Sequence, residues 1–282
     1  MTMLSTRVVA TALSLALPVL SHAVVINVTT TVDVLDGADG LTSLREAFQM
    51  ASANSTSDEI VLAALAVYDL SDCVEGDLDH TASDPLVITG NDATVAQGCA
   101  GERVIDNNNP GSDLSIDDLT LTGTPGGAAL SGAAIYTYNG LTALTNVTMI
   151  GLFSGGSGAM LEGDGLDGGL VYELTNVTID GNEGSGISTD FGSVTIIDST
   201  ITDQTSASVS LTDGNPLIIQ NSIVTGNGAG GVRTTGQGST VLALTDAVIT
   251  GNDGTGVNCF GCSTVTVTDS TISGNGLDPD TS

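Results

Sequence analysis

A nine-residue motif that recurs through the second half of the chain constrains its fold more than any other feature. Six copies end at residues 152, 182, 204, 227, 252 and 275, in steps of 30, 22, 23, 25 and 23 residues. The clearest copy reads LTNVTIDGN at 174–182, and a fainter one, IDDLTLTGT, precedes them at 116–124. Repetition at this period is typical of a solenoid, in which each repeat buries its apolar face only by stacking on its neighbours.

Positions within each copy alternate between two environments, which is the periodicity of a β-strand and not of a helix. We predict one inward column formed by Ile179, Ile201, Val224, Ile249 and Ile272. A second inward column lies two positions earlier and contains Val177, Ser199, Ser222, Ala247 and Ser270. The positions between them are mostly threonine and other β-branched residues, which suit the exposed side of a pleated strand.

Corner residues complete the repeat. Gly-Asn ends four copies, and both residues tolerate the positive φ of a sharp turn. We predict that the last residues stack as a corner ladder made of Asn182, Asn227, Asn252 and Asn275, with Gln204 as the exception. A second Asx position, predicted to be a bend, is filled by Asp118, Asn146, Asn176, Asp198, Asn221, Asp246 and Asp269.

A coil of about 23 residues with three short strands and three turns predicts an all-β fold, the parallel β-helix. Right-handedness is expected because parallel crossovers are almost always right-handed. The predicted limits are 24–57 for an N-terminal cap and 58–282 for the β-helix, with irregular first coils to about 113 and regular repeats from about 114. The glycine-rich stretch 151–169 is predicted to be a longer loop.

The N-terminus has the pattern of a secretory signal peptide, predicted at 1–23. Arg7 precedes a mostly apolar run at 8–20, and small residues occupy positions 21 and 23. The following stretch, 24–34, reads as a strand. Ser43 and Glu46 have the spacing of a capping box, which predicts a short helix that covers the first coil. The chain stops just past a corner, so we expect an open end, explained by a truncated gene product or by cover from another molecule.

Charge narrows the classes of partner. The chain has 33 acidic and 4 basic residues, a net charge of −29, which argues against binding a nucleic acid backbone. Beyond the predicted leader no segment is apolar enough for a transmembrane segment. We therefore expect an exported protein that is extracellular or associated with the outer membrane.

Four cysteines in an exported chain predict two disulfides. Cys259 and Cys262 follow a corner in one repeat, where a bond that staples the turn is expected. Cys73 and Cys99 then pair by elimination. A zinc site that uses all four cysteines is the alternative.

Catalytic residues are hard to find in this sequence. A lyase needs a basic residue beside carboxylates, and Arg233 is the one basic residue on the regular repeats. A hydrolase needs clustered carboxylates, but Asp117-Asp118 fits a structural bend, and His80 is interpreted as a solvated loop residue. We therefore predict no catalytic residues. Glycan stacking is also weakly indicated, since the chain has no tryptophan and 3% aromatic residues.

Calcium is the one candidate cofactor, because hard cations prefer oxygen ligands. Acidic residues that lie in turns or Gly-rich segments are Asp36, Asp39, Asp164, Asp167, Asp278 and Asp280. Solvated acidic loops are the alternative interpretation of the same residues.

Two stretches resemble known families. The segment 32–62, with TSLREA at 42–47, resembles the N-terminal domain named for its Cys-Ser-Leu-Arg-Glu-Ala motif, which precedes right-handed β-helices in exported bacterial proteins. Thr42 stands where that motif has cysteine, so a disulfide from this position is absent. Residues 132–136 and the LTALTNVTMIG stretch that follows resemble the repeats of polymorphic outer-membrane proteins. The resemblance implies surface or secreted roles, including adhesion.

The sequence therefore predicts an exported or cell-surface, non-catalytic β-helix that interacts with a surface or matrix polysaccharide or protein. A polysaccharide lyase or glycoside hydrolase with a divergent site near Arg233 is the alternative.

Overall fold

The structure, a computed structural model, describes residues 23–123, 131–154, 158–165, 169–213 and 216–276. Side chains of 237–239 are also outside the description. The predicted signal peptide falls, but for its last residue, on 1–22, outside the described residues.

Twenty-two strands and one helix make up the described chain. The helix α1 is Leu44–Ser52. In chain order the strands are β1 (Val25–Asn27), β2 (Asp58–Val61), β3 (Val67–Leu70), β4 (Leu78–Asp79), β5 (Leu86–Gln97), β6 (Ile105–Asn107), β7 (Leu114–Gly123), β8 (Ile135–Tyr138), β9 (Gly140–Ile150), β10 (Ala159–Asp164), β11 (Leu170–Thr175), β12 (Thr178–Asp180), β13 (Ser185–Asp190), β14 (Gly192–Ile197), β15 (Thr200–Thr202), β16 (Ala207–Thr212), β17 (Leu217–Gln220), β18 (Ile223–Thr225), β19 (Gly230–Thr245), β20 (Val248–Thr250), β21 (Val257–Thr268) and β22 (Thr271–Ser273).

The strands pair in parallel from one coil to the next, which gives a solenoid of about eight turns with three faces. Face A contains β4, β6, β8, β10, β13, β16 and the first parts of β19 and β21. Face B contains β1, β2, β11, β14 and β17, and face C contains β3, β12, β15, β18, β20 and β22. The longer strands turn a corner and contribute to two faces. The predicted all-β parallel fold with a single short helix is confirmed.

The predicted inward columns fill the interior. Ile179 pairs with Ile201 on the next coil, Ile201 pairs with Val224 on the coil after that, and all three are buried. Every residue of the predicted bend position adopts positive φ, from +47° at Asn221 to +55° at Asn146. Because asparagine and aspartate tolerate this conformation best after glycine, the bend explains their recurrence, including that of Asp118.

The corner amides lie inside the solenoid and bond to one another from coil to coil. Asn182 Nδ2 donates to Gln204 Oε1 at 3.2 Å, and the backbone N–H of Gln204 donates to Asn227 Oδ1 at 3.1 Å. Asn227 Nδ2 donates to Asn252 Oδ1, and Asn252 Nδ2 donates to Asn275 Oδ1, both at 2.8 Å. Gln204 is therefore a rung of the row and not an exception, because its longer amide reaches the same partners.

The helix α1 begins at a capping box. Ser43 Oγ accepts from the Glu46 backbone N–H at 3.1 Å, and Glu46 Oε2 accepts from the Ser43 N–H at 2.9 Å. Glu46 Oε1 also accepts from the N–H of Asp36, which ties the preceding loop to the helix. The buried helix face, which includes Leu44 and Phe48, covers the first coil.

A buried ion pair joins this cap to the solenoid. Arg45 donates to both carboxylate oxygens of Asp33, at 2.8 and 3.1 Å, and to the carbonyls of Gly76 and Asp77. Asp33 also accepts from the backbone amides of Ser71 and Asp72. Burial alone would raise the pKa of Asp33. The hydrogen bonds from Arg45 and from the two backbone amides, together with the charge of Arg45, lower it by more, so the pKa of Asp33 lies below its usual value.

Two local predictions were wrong. The strand predicted over 24–34 is confined to β1, because the chain then turns to meet α1. The stretch 151–169 is not simply a loop, because β10 lies within it and pairs with both β8 and β13. The many glycines of this stretch are typical of a loop, which is why the strand was not predicted. Met160 and Leu161 of β10 are fully buried.

The four cysteines form two disulfides, Cys73–Cys99 and Cys259–Cys262.

In the described part of the chain, no helix has the length and apolar character needed to cross a membrane. The last described coil leaves its inward column exposed at Val265, Val267 and Ile272. Residues 277–282, which include the chain end considered above, are outside the described residues.

We expect Arg45→Ala to lower the free energy of unfolding by about 3 to 5 kcal/mol, because it leaves the Asp33 carboxylate buried and unpaired. Chemical denaturation of the variant and the parent measures this difference. Arg233→Ala is the matched control: its side chain is exposed, so a change within about 0.5 kcal/mol is expected. Equal effects of the two substitutions would contradict the assignment of Arg45 as the tie between cap and solenoid.

Candidate functional site

Face A carries a column of outward-pointing residues in which three carboxylates and one tyrosine follow one another from coil to coil. Asp79 pairs in register with Asp106, Asp106 with Tyr136, and Tyr136 with Glu162. The neighbours of these residues along each strand, such as Leu78 and Ile105, point inward and are buried. Since parallel strands lie about 4.8 Å apart, register alone brings side chains from four coils together.

Three carboxylates meet at the start of this column. Oxygens of Asp77, Asp79 and Asp106 lie within 4.8 Å of one another. Arg103 Nη1 lies 2.8 Å from Asp106 Oδ2 and 3.9 Å from Asp77 Oδ2. The other oxygen of Asp106, Oδ1, is inaccessible to solvent and has no hydrogen-bond partner among the described residues.

Tyr136 extends the group along the axis. The Arg103 guanidinium lies 4.5 Å from the centre of its ring, a cation–π contact. Its hydroxyl donates to Asp164 Oδ2 at 2.7 Å. Burial, the hydrogen bond to Asp164 and the charge of that carboxylate raise the pKa of Tyr136, so the phenol stays protonated.

These residues form one group, which we call the face A cluster. Its members are Asp77, Asp79, Arg103, Asp106, Tyr136, Glu162 and Asp164.

Burial raises the pKa of Asp106 to about 6 despite the charge of Arg103, and the carboxylates of Asp77 and Asp79 add to the rise. Burial and Asp77 likewise raise the pKa of Asp79. The Asp106 carboxyl therefore takes up a proton in mildly acidic solution, at a higher pH than an ordinary aspartate, and is mostly ionised at neutral pH.

A cavity of about 440 Å³ opens beside the cluster, between α1 and the chain from 75 to 81. Asp77 and Asp79 contribute to its wall, together with Gln49 and Ser52 of the helix. The cap thus forms one side of a recess that ends at the carboxylates.

Aromatic side chains are also concentrated on this face. Tyr136 and Tyr138 point outward from β8, Phe260 points outward from β21, and Phe191 lies at the corner that follows β13. Phe48, Tyr68 and Tyr172 are core residues. The few aromatics that the sequence offers are therefore divided between the core and this one surface, with Phe153 the remaining residue.

His80 is not the solvated loop residue that we predicted: its side chain is 2% exposed. Its Nδ1 lies 3.0 Å from Asn107 Oδ1 and 3.1 Å from Ser112 Oγ, both of which are buried. Burial lowers the pKa of His80, and the imidazole serves as a neutral hydrogen-bonding core group. Leu78 points inward, Asp79 outward and His80 inward, which is the alternation of a strand. This alternation would have predicted a buried His80, but its acidic neighbours suggested an exposed loop.

Arg233 is exposed on the same outward column as Glu162, three coils further along. Its register neighbours are Ser210 and Asn258, and no described carboxylate lies within ion-pair distance. The structure therefore does not bring carboxylates to Arg233 as a divergent lyase site would need. On the coils, the described basic residue that lies next to carboxylates is Arg103, which we did not single out from the sequence.

The structure describes three of the six calcium candidates, Asp36, Asp39 and Asp164, and they belong to no described group of carboxylates that could hold a metal ion. Asp36 and Asp39 accept hydrogen bonds from the backbone two residues ahead, as turn residues do, and Asp164 accepts from Tyr136. Asp167, Asp278 and Asp280 lie outside the described residues. The three clustered carboxylates have the right ligand type for calcium, but Arg103 already supplies a positive charge there.

Comparison with known proteins agrees with the fold. Residues 104–278 match the family described as the right-handed beta helix region, and the chain belongs to this family. A search of curated proteins found no match. The handedness expected from the sequence is that of the family.

We expect Asp106→Asn to stabilise the protein at about pH 7.5 by roughly 1 kcal/mol and to have little effect at about pH 4. The folded-state pKa of about 6 exceeds the unfolded value of 3.8, so the folded carboxyl retains a proton that the unfolded chain releases. Its contribution to stability therefore falls as pH rises between these values. Urea unfolding across this range measures the effect.

Asp180→Asn is the matched control, since it removes a carboxylate from face C, outside the cluster. If the two variants show the same pH dependence, the shifted proton does not reside on Asp106.

Proposed function

We propose that this is an exported or cell-surface β-helix protein that interacts, without catalysis, with a polysaccharide or protein at the surface or in the surrounding matrix. Face A is the interaction surface. The observation that carries the proposal is that register collects Arg103, Tyr136 and five carboxylates in one cluster, with further aromatics along the same face.

Two features of the chain support the location. The leader pattern at 1–23 and the TSLREA segment resemble those of exported bacterial proteins. The β-helix family fits surface proteins and pectate-lyase-like proteins in general, so the family leaves both roles open.

The geometry of the basic residue favours binding over lyase chemistry. Arg103 is held by Asp106 and by the ring of Tyr136, so its guanidinium is fixed as a structural cation. A lyase base must instead be free to take a proton from the substrate. Fixed charges and rings on a rigid sheet are what a recognition surface needs, because little conformational entropy is lost on binding.

The expected result is that the full chain binds cells or immobilised matrix components, and that Arg103→Ala combined with Asp164→Ala weakens binding roughly tenfold or more. Surface plasmon resonance against a panel of matrix polysaccharides and proteins measures this. Glu173→Ala combined with Asp180→Ala removes charges from faces B and C and should leave binding unchanged. Binding to no member of the panel would refute the proposal.

A glycoside hydrolase is the second candidate, and the carboxylates at Asp77, Asp79 and Asp106 favour it. Glycosidases pair a protonated acid with a charged carboxylate, and the pKa of about 6 at Asp106 provides the first of these. Under our proposal, incubation with acidic and neutral polysaccharides releases no reducing ends and no unsaturated uronates. Cleavage abolished by Asp106→Asn would establish the hydrolase, and cleavage abolished by Arg233→Ala would establish a lyase.

A further inference from the structure

Phe191 is the least expected side chain on the surface. It is 45% exposed and has a φ of +57°. The corresponding corners carry Asn139 and Asp213, which tolerate this conformation, whereas a bulky ring in it is a genuine outlier. Strain of this kind persists where the surrounding structure enforces it and often marks a functional position.

Phe191 directly follows Asp190, which belongs to an outward row that begins at Tyr138. Tyr138 pairs in register with Asp164, and Asp164 pairs with Asp190, which precedes Phe191. The two aromatic residues are thus two coils apart, about 10 Å along the axis, with carboxylates between them. We call Tyr138, Asp164, Asp190 and Phe191 the aromatic row.

We infer that the aromatic row binds an extended polysaccharide whose sugars carry free amino groups. This inference rests on the proposed function, because it names the ligand class for the same face.

The chemistry of the row fits such a ligand on two counts. Aromatic rings offer flat apolar surfaces for the C–H faces of sugars, and they also attract cations. Asp164 and Asp190 supply the acceptors for charge-assisted hydrogen bonds from ammonium groups, with Asp190 exposed at the end of its strand.

Charge decides between classes of polysaccharide. With a net charge of −29, the protein repels polyuronates and other polyanions at long range and attracts polycations. Arg103 contacts Tyr136 next to the row, and Asp106 neutralises it. Arg233 is exposed on the same face, but it lies two coils beyond the coil of Asp190, about 10 Å along the axis. The charges within the row itself are the carboxylates of Asp164 and Asp190, which repel an anionic polymer and attract a cationic one.

The direct test measures binding of the full chain to a soluble β-1,4-linked glucosamine polymer by isothermal titration calorimetry. Its N-acetylated oligomers, a polyuronate and polylysine are the comparison ligands. Tyr138→Ala and Phe191→Asn each remove one ring, and asparagine suits the positive φ at 191, so the fold is retained. We expect each to weaken binding to the glucosamine polymer roughly three- to tenfold.

Matched controls separate the row from general charge and from general apolar exposure. Ile218→Ala removes an exposed apolar side chain from face B and should have no effect. Asp190→Asn should weaken binding, whereas Glu173→Gln on face B should not.

Each outcome decides the inference. Selective binding of the glucosamine polymer that depends on both rings supports it. Equal affinity for polylysine, unaffected by Tyr138→Ala and Phe191→Asn, would show attraction by charge alone and overturn it. Failure to bind the glucosamine polymer also overturns it, and the proposed function then still stands if the full chain binds another component of the matrix panel.

Discussion

Coil-on-coil stacking is the interaction on which the rest of the structure depends. Ile179 is buried because Ile201 lies on the next coil, in the same register, and the amide row at the corner has the same spacing. One coil alone would expose this apolar column and leave its strand hydrogen bonds unmade. The same stacking places outward residues in columns, so Asp79, Asp106 and Tyr136 meet although 27 and 30 residues separate them.

The motif that carries the family resemblance has a structural explanation in this chain. Ser43 and Glu46 cap the helix and anchor its loop, and Arg45 holds Asp33 against the first coils. All three act to close the N-terminal end of a solenoid, where an uncapped sheet edge would otherwise be exposed. In this chain the residues of the motif therefore serve the cap, and the proposed interaction surface lies on the coils.

The repeats could be predicted from sequence because each structural position recurs with similar chemistry. Glycine marks the corner, an Asx residue marks the bend, and a β-branched residue points inward. The cluster could not be predicted, because its members lie in the early coils, where spacing is irregular and register cannot be counted. Asp77 and Asp106 look like unrelated loop and strand residues until β4 and β6 are paired. The prediction for His80 was wrong because its acidic neighbours are typical of an exposed loop, whereas the short inward–outward alternation of residues 78–80 correctly indicates a strand with His80 inside.

A site assembled by register has a specific sensitivity. Within the paired strands the coils present a similar backbone, so the chemistry of face A depends on which side chains the register brings outward. Inserting one residue before Tyr136 would turn Tyr136 and Tyr138 inward and bring Thr137 outward, since neighbouring positions on a strand face opposite sides. The fold could restore its core in the following coils, where the repeats are regular, but the contact between Arg103 and Tyr136 would be lost. The proposed recognition at face A therefore depends on the spacing between coils as much as on the identity of any one residue.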